Sequence, residues 1–434
     1  MAKQTKREFE NFDFIGTFKA VANETNGYRT IMSEKTGYQG HSISFGVEDN
    51  EQNRVFPELF GGKKANQTTI KVRADIPFEE DNKMNIEIPW NSRLDDSNVD
   101  LVAGFSKTVV DLTEDKEVKK EVSALIGKMT SIARKGVTAT DEDRKNYASY
   151  KKEIRQIAPT RKEFISPYDA IDYIKNNLGT LENKKVRVRG DVGYNEYKGN
   201  IQVQYNIRNL EFEKKDIESK LSVIVYPIFD ENSIDTDMMK TNGRVYIHGW
   251  ADSYYSATRA NGLFPMSYAI DTKSFNLESQ EDLANFKLML SLLKISKQEL
   301  GYCYRLGWEA KVVSKPIITE DNDDNDYTGL TDLQVSLVKA GILNEKDVTK
   351  KQSFGSFEKE ILLVKPLITG DYSNGKVAFL ESDEAYKKIV RSSEDIVLKD
   401  IEDDSKVTPE IKATNEEPVI TAESVLGDIF DGEF

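Results

Sequence analysis

A long alternating segment in the middle of the chain, residues 184–213, most restricts what this sequence can fold into. Apolar and polar residues alternate through KKVRVRGDVGY and again through NIQVQYNIRNLEFE. A period of two places every second side chain on the same face, which predicts two long antiparallel strands joined by a tight loop. Val186 and Val188 then face a core, whereas Arg187 and Arg189 share the opposite, polar face.

The rest of the chain adds further β segments and several helical ones. Short segments rich in Val, Ile, Thr and Phe, separated by turn residues, fill residues 9–112 and return in residues 220–271. Residues 113–178 repeat apolar positions at helical spacing, and residues 279–295 indicate another amphipathic helix. We therefore expect a mainly β chain with helical insertions, of the α+β class, whose β regions form small barrels or sandwiches.

The changes of pattern along the chain predict five regions. They are a first β domain (1–112), a basic helical insert (113–183), a second β domain (184–276), a mixed helix and strand region (277–380) and an acidic disordered tail (381–434). Two glycines inside predicted strands, Gly190 and Gly249, indicate a β-bulge or a sharp bend at these positions.

Composition argues against several classes of protein. The chain of 434 residues has a mean hydropathy of −0.56, and no apolar run approaches the roughly 18 residues of a membrane-spanning helix. The first residues, MAKQTKREFENFDF, lack the apolar centre of a secretory signal, so we expect a cytoplasmic location and no membrane partner. One cysteine, Cys303, and two histidines, His41 and His248, are too few for a structural zinc site.

Enzyme motifs are absent from the sequence. It contains no Walker A pattern, no G-x-G-x-x-G after a predicted strand and no G-x-S-x-G nucleophile elbow. The acidic segment EDNDDND lacks the glycine and the terminal glutamate of a calcium-binding loop. We therefore expect a binding protein rather than an enzyme, with no catalytic residues, no cofactor and no metal.

The formal net charge of −14 is concentrated near the carboxyl terminus. Residues 394–434 contain 13 acidic residues and only three lysines, whereas residues 116–162 contain 13 basic residues and six acidic ones. The body of the chain is therefore close to neutral and able to carry local basic surfaces. The acidic tail is typical of disordered interaction segments.

Basic and aromatic residues occur together on the alternating segment and on a later predicted hairpin. A surface that binds single-stranded nucleic acid needs cations for the phosphates and aromatic faces for the bases. The candidates on the alternating segment are Lys184, Lys185, Arg187, Arg189, Tyr194, Tyr197, Lys198 and Arg208, and those on the later hairpin are Trp250, Tyr254, Tyr255 and Arg259.

The position of each tyrosine along the alternating segment separates surface candidates from core residues. We expect Tyr194 and Tyr197 at the loop tip, whereas the alternation assigns Tyr205 to the core. A weaker group of the same kind in the first β region consists of Tyr28, Arg29, Lys35, Tyr38 and His41.

The chain finishes with SVLGDIFDGEF, which interleaves acidic and apolar side chains. A terminal aromatic with its free carboxylate fits a hydrophobic pocket rimmed by Arg or Lys, and flanking acids steer the encounter. The residues expected to bind a partner protein are Asp428, Ile429, Phe430, Asp431, Glu433 and Phe434. The preceding residues, 382–421, are charged and poor in aromatics, as a flexible tether should be.

With these features the sequence resembles the single-stranded DNA-binding proteins. In that family OB-fold barrels hold the strand, and a disordered acidic tail ends in several Asp, an Ile, a Pro and a terminal Phe. The matching residues are Asp428, Ile429, Asp431, Glu433 and Phe434. This tip has no proline, and Phe430 and Gly432 are additional to the family pattern. The resemblance covers the architecture and the last few residues.

The resemblance implies OB-fold-like five-stranded barrels that coat and protect exposed single-stranded DNA during replication, recombination or repair. It also implies that the tail tip recruits replication or recombination proteins. The length, the helical insert and the lysine-rich, asparagine-rich composition favour a phage-encoded member that acts in the host cytoplasm. The alternatives are a phage structural or baseplate-associated β protein and a nucleic-acid enzyme with carboxylate-bound Mg²⁺.

Overall fold

The structure is a computed structural model of the chain. It describes residues 9–21, 27–75, 77–79, 84–197, 200–230, 232–236, 243–255, 260–276, 278–293, 302–316, 357–367, 378–381 and 399–400. The predicted acidic tail therefore lies almost entirely outside the described residues.

Strands dominate the described residues. They are β1 (Asn11–Lys19), β2 (Tyr28–Ser33), β3 (Tyr38–Ser44), β4 (Gly46–Glu48), β5 (Arg54–Val55), β6 (Glu58–Lys63), β7 (Thr69–Arg73), β8 (Asn85–Pro89), β9 (Thr108–Asp111), β10 (Arg161–Phe164), β11 (Lys185–Tyr197), β12 (Asn200–Phe212), β13 (Lys220–Val225), β14 (Ile228–Phe229), β15 (Ile234–Asp235), β16 (Arg244–Tyr255), β17 (Ala260–Asp271), β18 (Tyr302–Arg305), β19 (Trp308–Pro316), β20 (Phe357–Pro366), β21 (Ala378–Glu381) and β22 (Lys399–Asp400).

Helices occupy the segments between some of these strands. They are α1 (Asp96–Leu101), α2 (Lys116–Ala133), α3 (Asp141–Ile157), α4 (Pro167–Asn176), α5 (Leu178–Leu181) and α6 (Gln280–Leu293), with short 3₁₀ turns at Trp90–Ser92, Gly104–Ser106, Gly136–Thr138 and Thr272–Ser274.

The mainly β, α+β class predicted from the sequence is confirmed. Hydrogen bonds join 20 of the described strands into one mixed sheet and leave β7 and β8 as a two-stranded sheet of their own. Alternation identifies a strand by its buried face, but the partner of each strand depends on tertiary contacts that alternation does not encode.

Some of these strands form a series of neighbouring pairs that begins and ends at β1. β1 pairs with β11, β11 with β12 and β3 with β6, all antiparallel. β4 follows β3 after the buried Phe45 and pairs with β1. A single parallel bridge between Asn206 and Glu58 joins β12 to β6. We call β1, β3, β4, β6, β11 and β12 the first circuit.

Later strands repeat this arrangement. β13 pairs with β19, β19 with β20 and β16 with β17, all antiparallel. β14 follows β13 after Tyr226 and Pro227 and pairs with β16. A single parallel bridge between Ala269 and Leu362 joins β17 to β20. We call β13, β14, β16, β17, β19 and β20 the second circuit.

The two circuits share one hydrophobic core. Residues 11–15 of β1 pair with β13, so the first strands of the two circuits are direct neighbours. Phe14, Val188 and Trp308 are completely buried in this core. Tyr205 packs against it with its ring 4.9 Å from that of Phe14, as the alternation predicts. The prediction of which side chains of the alternating segment face the core is therefore confirmed.

The first circuit is built from two distant parts of the chain. The sequence assigns residues 1–112 and 184–276 to different domains, whereas β11 and β12 are hydrogen-bonded to β1 and β6. Residues 64–184 form an insertion between β6 and β11. The insertion has small cores of its own, one beneath the β7–β8 hairpin and one between α2 and α3.

Side-chain hydrogen bonds cap the first turn of two helices of the insertion. Thr140 and Asp143 form a reciprocal capping box at the start of α3. The hydroxyl of Ser166 accepts a hydrogen bond from the backbone N–H of Tyr168 at the start of α4, where Pro167 is the first residue. α4 buries Ile171 and Ile174 in the main core.

A largely buried ion pair fixes α4 to an earlier segment of the insertion. The guanidinium of Arg93 donates two hydrogen bonds to the carboxylate of Asp169, at 2.8 Å and 2.7 Å, and both side chains are largely buried. The same guanidinium lies 4.2 Å from the ring centroid of Trp90. Because α4 packs against β3 and β6, this contact also supports the inner side of those strands.

Gly190 and Gly249 lie where the backbone of a neighbouring strand leaves no room for a side chain. The register between β11 and β12 shifts at Gly190, which confirms a bulge there. A Cβ atom on Gly190 would lie 1.9 Å from the carbonyl oxygen of Asn206, and one on Gly249 would lie 2.2 Å from that of Ile228. Only glycine leaves room for these contacts.

Glu163 should make folding stability pH-dependent. Burial raises its pKa, but the charges of Lys107 and Arg161 outweigh that effect and lower the pKa from 4.5 to about 2. The carboxylate therefore stabilises the folded state above pH 4.5, and this contribution is lost as the pH falls towards 2. We expect Glu163→Gln to lower the free energy of unfolding at pH 7 by about 2–3 kcal/mol.

Denaturant unfolding of wild type and Glu163→Gln between pH 7 and pH 2 measures this difference. The two proteins should converge in stability at the acidic end. Glu87→Gln is the control, because Glu87 pairs with Lys71 on the exposed surface and should change stability by less than about 1 kcal/mol. A constant difference between wild type and Glu163→Gln across the pH range would contradict the assignment.

Candidate nucleic-acid interface

The basic side chains predicted on the alternating segment are held by neighbouring acceptors. Arg187 donates to both carboxylate oxygens of Asp13, at 2.7 Å and 2.6 Å, and so joins β11 to β1. The remaining contacts are Arg189 with Glu211 at 2.7 Å, Arg208 with Asp191 at 2.7 Å, Lys184 with Glu114 at 3.0 Å and Lys185 with the carbonyl oxygen of Ile217. A phosphate would have to compete with these partners, so the segment is a weaker cation surface than its composition predicts.

Tyr194 is a core residue and not a loop-tip residue. Its side chain is 3 % exposed, its ring stacks at 5.9 Å on that of Phe264, and its hydroxyl donates to Glu10 at 2.5 Å. Burial, and then the Glu10 carboxylate, raise the pKa of Tyr194 well above its usual value. The residue cannot stack on a base without opening the core, which corrects the prediction made from the sequence.

For two further candidates the structure describes the backbone but not the side chain. Tyr197 ends β11 and Tyr255 ends β16. Lys198 and Arg259 lie outside the described residues, and so does the predicted partner-binding tip of Asp428, Ile429, Phe430, Asp431, Glu433 and Phe434.

A stacked aromatic pair lies on the outer face of β3 and β6. The rings of Tyr38 and Phe60 are 6.3 Å apart with an interplanar angle of 22°, and Phe60 is 53 % exposed. The ring of Tyr38 covers two glycines: a Cβ atom on Gly62 would lie 2.0 Å from its hydroxyl oxygen, and one on Gly40 would lie 2.7 Å from its ring. We call Tyr38, Gly40, Phe60 and Gly62 the aromatic platform.

Polar groups border the aromatic platform. Arg29 lies opposite Ser42 in the β2–β3 pair, and Ser42 lies opposite Phe60, so these three residues share the outer face. Burial raises the pKa of the nearby Glu58, whereas the charge of Arg29 and a hydrogen bond with Gln204 act to lower it. The outer face therefore combines aromatic surface with one nearby cation and hydrogen-bonding groups.

The weaker group predicted in the first β region is divided between two faces. Arg29 and Tyr38 lie on the outer face, and Lys35 is exposed in the turn between β2 and β3. His41 instead stacks at 4.3 Å on Tyr168 of α4, on the inner side of the sheet. The ring of Tyr28 lies 3.9 Å below the ammonium group of Lys175, also on α4.

A second series of aromatic side chains follows one face of β16. Tyr246, His248, Trp250 and Tyr254 lie on one face, with Asp252 between the last two, and the opposite face buries Val245, Ile247 and Ala251. We call these four residues the aromatic stripe. Tyr246 and His248 stack at 5.9 Å, Trp250 is half-buried and Tyr254 is exposed. The structure thus brings the predicted Trp250 and Tyr254 onto one face and adds two aromatics that the sequence did not indicate.

Phe60 and the platform glycines were also missed from the sequence. Gly61 and Gly62 are turn-type residues by sequence, yet they lie inside β6. Gly61 is required because a Cβ atom would meet the backbone of Tyr168 at 2.3 Å, and Gly62 because the ring of Tyr38 covers it. An aromatic ring that covers a glycine on a neighbouring strand is a known device of β-sheets, but it is recognised only when the strand pairing is known.

Comparison with known proteins adds no relative. The chain matches no known protein family, and no curated protein is detectably similar to it in sequence. Within the described residues, no helix has the length and apolar character needed to cross a bilayer, and no three His, Cys, Asp or Glu side chains come together as a metal-binding group.

Proposed function

We propose that this chain binds single-stranded DNA and that the two circuits are OB-fold-like units. In the first circuit the chain order is β1, β3 with β4, β6, β11 and β12. We count β3 and β4 together as the second strand. The fourth strand, β11, then lies beside the first, β1. The first lies beside the second through β4, and the second lies beside the third, β6, through β3. That is Greek-key order, and the fifth strand, β12, bridges the fourth and third. A five-stranded, partly open Greek-key barrel is the OB-fold architecture.

The second circuit follows the same order. Its strands are β13 with β14, β16, β17, β19 and β20, and β19 pairs with β13 while β14 pairs with β16. The fifth strand, β20, bridges β19 and β17. In each circuit a helix with buried apolar residues, α4 or α6, lies between the third and fourth strands. Two repeats of one topology support a repeated binding unit.

The observation that carries the proposal is the recurrence of exposed aromatics at one place in both circuits. The aromatic platform lies on the second and third strands of the first circuit, and the aromatic stripe lies on the second strand of the second circuit. OB-fold proteins bind oligonucleotides on the face of these two strands. Aromatic side chains there provide stacking surfaces for bases, which is a sequence-tolerant way to hold a single strand.

The wider role follows from the resemblance of the tail. We propose that the chain coats and protects exposed single-stranded DNA in phage replication or recombination. The acidic tip then recruits partner proteins in the cytoplasm of the host. The acidic composition of residues 394–434 supports this assignment.

Fluorescence anisotropy of a labelled oligo-dT strand tests the proposal directly. The full chain should bind the single strand more tightly than a duplex of the same length. Added salt should weaken the binding, and stacking should preserve measurable affinity when the phosphate contacts are screened. Equal or absent binding of both nucleic acids would overturn the proposal. A phage structural protein would then be the better assignment, and the abundance of the chain in virions would test it.

A further inference from the structure

Two adjoining cavities form a groove beside the first circuit. One has a volume of about 810 Å³ and reaches from β11 and β12 to the end of β16, and the other has a volume of about 660 Å³ and reaches the β7–β8 hairpin. Phe105 and Arg208 line both cavities. The two cavities therefore adjoin at Phe105 and Arg208, and we call them together the groove.

The walls of this groove combine exposed aromatic rings with amide side chains. Phe105 is 66 % exposed in the 3₁₀ turn Gly104–Ser106, and the exposed Tyr254 also lines the larger cavity. Asn195 and Asn206 also line the larger cavity. An amide side chain both donates and accepts hydrogen bonds, so the groove matches a planar ligand with apolar faces and a polar edge. Nucleobases have this chemistry.

The groove is continuous with both surfaces proposed to bind DNA. Gln204 lines the larger cavity and is hydrogen-bonded to Glu58, the residue two positions before Phe60 of the aromatic platform. Tyr254, which lines the same cavity, is the last member of the aromatic stripe. A strand that lies on both surfaces therefore has a direct path through the groove.

We infer that the groove binds a nucleobase of a single strand as the strand passes from the aromatic platform to the aromatic stripe, with the base stacked on Phe105. This inference rests on the proposed function and assigns to it a third binding position, on the insertion. The two circuits then form one track, and the strand is held continuously across them. Phe105 is available for this contact because its ring is exposed.

Phe105→Ala in the full chain tests the inference. The affinity for an oligo-dT strand long enough to cover both surfaces should fall on the order of tenfold, which corresponds to one lost base–aromatic stack. The melting temperature should not change, because the removed ring is exposed. Val137→Ala is the matched control: Val137 is 52 % exposed and lies in another 3₁₀ turn of the insertion, Gly136–Thr138, outside the groove.

A scan of single abasic positions along the oligo-dT strand gives an independent readout. Wild type should lose affinity when the abasic position reaches the groove, and Phe105→Ala should no longer respond to that position. Unchanged affinity of Phe105→Ala for the long strand would overturn the groove while leaving the proposed function intact. Failure of the wild-type chain to bind any single strand would overturn both.

Discussion

Replacing Phe60 and Trp250 together by alanine should lower the affinity for single-stranded DNA by roughly 100-fold or more, since each base–aromatic stack contributes about 1–3 kcal/mol. The two residues represent the aromatic platform and the aromatic stripe, so the double variant weakens both surfaces at once. The single variants should each show about half of the loss in free energy if the surfaces act independently. Anisotropy titrations of the four proteins with the same oligo-dT strand measure this.

The controls separate lost stacking from lost folding. Phe60 is exposed, so its truncation should leave the melting temperature unchanged, whereas the half-buried Trp250 requires its own thermal unfolding curve. Leu288→Ala removes another exposed apolar side chain, on α6, and should bind as wild type. A folded double variant with wild-type affinity would show that the two surfaces do not hold the strand.

Arg93→Ala should lower the free energy of unfolding by about 3–5 kcal/mol, a larger loss than that expected for Glu163→Gln. The substitution leaves the carboxylate of Asp169 buried without its bidentate partner and removes the nearer of two cations from the ring of Trp90. A buried carboxylate without a partner is costly because it has lost its hydration and gained no compensating charge. Denaturant unfolding at pH 7 measures the change.

Two comparisons test the origin of this loss. Lys120→Ala breaks the exposed pair with Glu117 and should change stability by less than about 1 kcal/mol. Arg93→Ala combined with Asp169→Asn should recover part of the loss, because the buried charge is then removed. A double variant as unstable as Arg93→Ala alone would mean that packing on Trp90, and not the ion pair, stabilises α4.

The sequence predicted the strands better than their partners. Alternation placed Val186, Val188 and Tyr205 correctly, because the period of a half-buried strand records which face is buried. Tyr194 continues the same inward series beyond Gly190, and the loop-tip prediction was wrong because β11 extends as far as Tyr197. The pairing of β11 with β1 could not be predicted, because strand partners are chosen by contacts between segments distant in the chain.

The candidate site was only partly visible in the sequence for a related reason. Trp250 and Tyr254 were found because aromatic and basic residues occur together in that one segment of the sequence. The aromatic platform was not found from the sequence, because it combines Tyr38 and Gly40 of β3 with Phe60 and Gly62 of β6. The basic residues of β11 were overvalued, since composition counts a cation without showing the carboxylate beside it.

The interrupted construction of the first circuit has a consequence for how the chain is made. Roughly 170 residues separate β1 from β11, and at about 5–20 residues per second a ribosome adds them in roughly ten to thirty seconds. During that time β1 is an open strand edge, which attracts other chains. The insertion, with its own local cores, is able to fold during this interval. Once folded, it replaces a long flexible loop by a compact body and reduces the entropy lost when β11 closes onto β1.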